Sequence, residues 1–108
     1  MTYADDKIQD SWTASAVGTS AGVTATKAGV AGVIYLVTNV ACSGDAAALV
    51  TIEAPTGTVL WRKRFAAAFT HSESFMPGVI KGAPADAASV KVSASTSNSE
   101  ANISGYSI

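Results

Sequence analysis

The chain has 108 residues, is 48% apolar and only 14% charged, and carries a net charge of −1. That length makes a single domain. The apolar content excludes a disordered chain, and the missing basic excess argues against a nucleic-acid binder.

An average domain is about 25% charged. Here 21 alanines, with many Ser, Thr, Val and Gly, fill the place of charge. Such a surface is either coated with hydroxyls or buried against other chains. The second is the expectation, and with it an oligomer, a trimer first.

Residues 1–10 are polar and acidic, with Tyr3 and Ile8 as large apolar groups. They read as an extended N-terminal arm rather than a signal peptide, ahead of one domain over 11–108. Residues 11–17 alternate as a strand with Trp12, Ala14 and Ala16 on one face. A turn over 18–22 leads to a short strand over 23–27. Residues 33–42 form the strongest strand, with Val33, Tyr35 and Val37 on one face and Ile34, Leu36 and Val40 on the other. Apolar groups on both faces suit a central strand covered on both sides. The apolar run over 30–37 is broken by Gly32 and is too short to span a bilayer. Cys42 is alone, so the chain has no internal disulfide, and a free Cys in a strand is a small buried hydrophobe.

Ser43-Gly44-Asp45 reads as a turn. Residues 48–54 alternate Ala48, Val50 and Ile52 against Leu49, Thr51 and Glu53. After Pro55-Thr56-Gly57, a hairpin-type turn, residues 58–65 place Val59, Trp61, Lys63 and Phe65 on one face, Leu60, Arg62 and Arg64 on the other. Strands follow over 71–76 and 89–96, with Val90, Val92 and Ala94 inward. A last strand over 101–108 sets Ile103 and Gly105 against Tyr106. The best helical stretches, 45–49 and 84–88, are too short to stand alone. Seven or eight antiparallel strands must form two layers to bury one face each. The expected fold is all-β, a two-sheet sandwich of jelly-roll type. An immunoglobulin-like sandwich is the runner-up, but a single Cys cannot supply its Cys–Trp–Cys pattern.

No residues form a catalytic, cofactor or metal motif. His71 is the sole histidine, and Cys42 lies 29 positions away with no G-x-S-x-G nearby. One His and one Cys fall short of a zinc ligand set. Asp5, Asp6 and Asp10 lack the spacing and Gly of a calcium loop. The expectation is no enzyme and no cofactor. Two features could carry a partner. Arg62-Lys63-Arg64 lies between Trp61 and Phe65, so Arg62 and Arg64 share a face. It is either a charged edge strand or a contact with an acidic surface. The arm reaches at most about 35 Å and could tie subunits together through Tyr3, Ile8 and Trp12. Trp12 could instead belong to the first core strand.

The order of features from Gly32 onward carries a resemblance. It runs Val33-Ile34-Tyr35-Leu36, a strand ending at Ile52, Gly57, and then Val59-Leu60-Trp61. Phe75-Met76-Pro77-Gly78-Val79, Gly82, Val90-Lys91-Val92-Ser93-Ala94-Ser95 and Asn102-Ile103-Ser104-Gly105-Tyr106 follow. This resembles the small structural proteins of tailed-bacteriophage virions that decorate or cement the capsid. The likeness covers about three quarters of the chain. It implies a β-sandwich, often trimeric, on the outer capsid surface, with the major capsid protein as partner. The protein would be made in the host cytoplasm and meet neither nucleic acid nor membrane. The alternative is a carbohydrate- or receptor-binding sandwich of a virion fibre or adhesin, with Trp12, Trp61 and Tyr106 as its aromatics.

Overall fold

The computed structural model describes residues 11–18, 22–55, 57–75, 80–94 and 98–108. The arm expected over 1–10, with Tyr3 and Ile8, lies outside them, as do residues 19–21 and 95–97. Among the described residues there is no helix, and nine strands form two antiparallel sheets. They are β1 (Ser11–Gly18), β2 (Val23–Lys27), β3 (Tyr35–Gly44), β4 (Ala48–Glu53) and β5 (Val59–Phe65), then β6 (Phe69–Ser74), β7 (Ile80–Lys81), β8 (Ala88–Ala94) and β9 (Ser99–Ser107). The count exceeds the expected seven or eight. The two-residue β7 pairs with β3 beyond the end of β6 and so extends the same sheet edge.

The first sheet runs β1-β9-β3-β6, and the second β2-β8-β4-β5. Their inner faces make one core, which explains why the alternation in β1, β2, β4 and β8 is legible. In the first sheet the register aligns Trp12, Gly105 and Val37 in one row, and Ala14, Ile103 and Val40 in the next. In the second, Ala25, Val90, Ile52 and Trp61 share a row. Val37, Val40, Val50, Ile52, Val90, Val92 and Ile103 are all buried. Each such side chain contributes roughly 1.5–3 kcal/mol of transfer free energy. The Trp12 indole tilts against Tyr35 at 5.2 Å between centroids and donates Nε1–H to the Tyr106 carbonyl at 2.8 Å. It belongs to β1 and the core, the second of the two places the sequence left open for it.

Two bulges overturn details of the pattern. In β3 the pairing with β9 shifts between Val37 and Asn39. Thr38 is the extra residue, and its carbonyl accepts the Phe75 N–H at 2.9 Å. The shift turns Val40 onto the inner face with Tyr35 and Val37. Position-by-position alternation had placed it with Leu36. The outer face of β3 is therefore not an apolar stripe, since Asn39, Ala41 and Ser43 follow Leu36 there. This removes the reason for reading β3 as covered on both sides. In β5 the pairing shifts between Ile52 and Glu53, with Leu60 as the extra residue. Val59 then sits opposite Glu53 on the outer face, not with Trp61 and Phe65, and it is 37% exposed. The strand β3 also runs on through Ser43 and Gly44, where a turn was expected.

Candidate functional site

The outer face of the second sheet brings three basic residues together. Thr24, Lys91, Thr51 and Arg62 lie in one cross-strand row, and Ser93, Leu49 and Arg64 in the next. Lys91, Arg62 and Arg64 are exposed, and no ion pair involves any of them among the described residues. The sequence showed Arg62 and Arg64 on one face. It did not show Lys91 beside them, because only the β4 register brings β8 and β5 to either side of one strand.

Among the described residues the carboxylate on this face is Glu53, and it is withdrawn from solvent. It is 8% exposed. One oxygen accepts Thr51 Oγ1–H at 3.1 Å and the other accepts the Gly57 N–H at 2.8 Å. Gly57 has φ of +96°, a turn conformation that favours glycine. The local turn thus occupies Glu53 and leaves the three cations without a described carboxylate neighbour on their face. Beside Arg64 lies a shallow hollow of about 500 Å³ lined by Ala47, Leu49, Arg64, Phe65, Ala66 and Ser93. It offers an apolar floor with one guanidinium on its rim.

The strand β5 is an edge strand, as one reading of Arg62 and Arg64 expected. Lys63 pairs with the buried Val50, so the register sets it on the inner face, with its Nζ 6.0 Å from the centroid of the Phe65 ring. An inward-aimed charge and a bulge are both devices that block edge-to-edge pairing. Behind them, aromatic groups close this side of the sandwich. Phe65 stacks on Phe69 at 4.1 Å, and Trp61 meets Phe75 edge-on at 5.6 Å. Trp61 and Phe65 are half-buried and face the core as expected. Of the three aromatics considered for ligand binding, Tyr106 alone is exposed, at 40%.

The fold also assembles a group that chain distance hid. Cys42 pairs directly with His71 across β3 and β6, and the His71 imidazole meets Glu73 Oε1 at 2.8 Å. These are the residue types of a nucleophile–base–carboxylate relay. The sulfur is unsuited to it. Cys42 is 4% exposed, and burial pushes its thiol up to about 11. A catalytic cysteine needs the thiolate, which an electropositive setting favours and an apolar one opposes. Among the described residues no group of three or more His, Cys, Asp or Glu could hold a metal ion, and no helix is long and apolar enough to cross a membrane.

No protein-family model matches this chain, and the comparison with curated proteins found no match.

Proposed function

We propose that the chain is a non-enzymatic decoration or cement protein of a tailed-phage virion, docking on the outer capsid surface through the basic face of its second sheet. The observation that carries this reading is that face: three exposed cations with no ion pair among the described residues, beside an apolar hollow, with the described carboxylate of the face occupied. The magnitudes assign separate roles. Exposed ion pairs contribute about 0.2–1 kcal/mol each, so the cations would set orientation and encounter rate. Most of the affinity would come from an apolar group seated against Leu49, Ala47 and Ala66. A ligand that binds only the assembled shell stabilises it by mass action at every site it fills.

The connectivity is, in this reading, a jelly roll. Taking β6 and β7 as one edge leaves eight strands. The orders β1-β9-β3-β6 and β2-β8-β4-β5 place each strand of one sheet at the position matching a chain neighbour in the other: β1 with β2, β9 with β8, β3 with β4, β6 with β5. Two Greek keys folded into two sheets have this character, and they recur in viral capsid and lectin domains. The lectin-like alternative is the weaker one, because Trp12 and Trp61 face inward.

The test uses intact particles of the phage that encodes the chain. The native protein should sediment with them at moderate salt and be released as salt rises. The variant Arg62→Glu/Arg64→Glu should keep its melting temperature and fail to bind. A native chain that does not bind particles rejects the function. Full occupancy by the charge-reversed variant rejects the face.

A further inference from the structure

A sheet edge exposes unpaired N–H and C=O groups, and proteins guard such edges with charge, bulges, proline or shortness. Three of the four edges here carry a guard. The β5 edge has Arg62, Lys63, Arg64 and a bulge. The β6–β7 edge has His71, Glu73 and Lys81. The β2 edge is five residues long and ends in Lys27. Among the described residues the β1 edge has none. It is eight residues long, holds one-to-one register with β9 throughout, and contains no charge, proline or bulge. Among the described residues β1 pairs on one side only. On its outer face Ser11, Thr13, Ser15 and Val17 are all exposed. Val17, at 71%, is the most exposed of the large apolar side chains described.

We propose that β1 is a contact between two copies of this chain, paired antiparallel about a two-fold axis beside Ala14. The register follows from the period of a strand. Inner and outer faces stay matched only when paired positions differ by an even number. Centring on Ala14 brings all of positions 11–17 into the ladder. Thr13 then lies opposite the partner's Ser15, Trp12 opposite the partner's Ala16, and Val17 opposite the partner's Ser11. A Thr–Ser hydroxyl pair is a favourable cross-strand neighbour, and no like charges meet.

A second copy is the occupant because it supplies what Val17 lacks. Within one chain Ser11 pairs with Tyr106 of β9, and Tyr106 is 40% exposed on the same outer face. Across the axis, Val17 therefore faces a serine with the partner's Tyr106 directly behind it. Two strand spacings are about 10 Å, and the small serine lets the phenol ring lean over it. The two-fold repeats this contact at the other end of the pair, as an isologous interface requires. The joined first sheets form one continuous sheet of two copies. This goes beyond the capsid reading and does not depend on it. It also replaces the trimer expected from composition with a pair.

Sedimentation equilibrium of the full chain from about 5 to 200 µM covers the range of a contact smaller than a standard interface. The expected result is a reversible shift from 10.9 kDa to twice that mass. Thr13→Lys/Ser15→Lys sets lysines opposite one another and should abolish the shift without moving the melting temperature. Val17→Ser removes one valine contact at each end of the pair and should weaken it about a hundredfold. Thr24→Lys/Thr26→Lys adds the same charge to the outer face of β2 and should leave the shift intact. A native chain that stays monomeric over this range, a trimer, or a pair that survives the β1 lysines overturns the proposal.

Discussion

Gly105 tests the packing of the first sheet most severely. It sits in β9 between Trp12 of β1 and Val37 of β3. A Cβ there would lie 1.8 Å from the Leu36 carbonyl oxygen and 3.1 Å from Val37 Cα. A carbon tolerates a carbonyl oxygen no closer than about 3.3 Å, so Gly105→Ala must move the β3 backbone away by more than an ångström. Ladder bonds of about 2.9 Å then fall outside hydrogen-bonding range. Overpacking costs about 1–3 kcal/mol, and two lost ladder bonds add roughly 1 kcal/mol each. The expected loss is therefore about 3–5 kcal/mol, a large part of the 5–15 kcal/mol typical of a folded domain. Urea unfolding followed by tryptophan fluorescence measures it. Gly32→Ala is the comparison, because Gly32 has φ of +77° but nothing within 4 Å of an added Cβ. Its cost is conformational only, about 1–2 kcal/mol. If Gly105→Ala costs less than Gly32→Ala, the close approach of β9 to β3 is wrong.

Two further outcomes separate core from edge and thiol from thiolate. Trp12→Ala should cost about 3–5 kcal/mol, and Trp61→Ala clearly less, since Trp61 is half-buried on an edge strand; the reverse order in thermal melts would place Trp12 outside the core. Stability should also fall in alkali. Between pH 9.0 and about 11 the unfolded chain loses the Cys42 proton while the folded chain keeps it. The native state then holds more protons, so unfolding free energy drops by up to roughly 1.4 kcal/mol per pH unit. The drop is absent below that window and complete above it. Cys42→Val should remove this part of the slope in paired urea titrations at pH 8 and 10.5, and an unchanged slope would mean that the thiol is not buried.

The sequence by itself determined the strand class and most inner faces. In β1, β4 and β8 the alternation is unbroken, so Trp12, Ala48, Val50, Ile52, Val90 and Val92 could be placed by counting in twos. It also showed that Arg62 and Arg64 share a face. Tertiary structure decided what depends on a partner strand. A bulge is a mismatch between two strands, so nothing in β3 or β5 alone marks Thr38 or Leu60 as the extra residue, and Val40 and Val59 change faces because of them. The same dependence brings Lys91 beside Arg62, and Cys42 beside His71. Each pair is far apart in the chain and adjacent only through register. Trp12 shows the limit from the other direction. Its place in an alternating pattern was legible, but the choice between arm and core rested on the Tyr35 ring and the Tyr106 carbonyl. Local pattern fixes which side of a strand a residue takes, and long-range pairing fixes what it meets there.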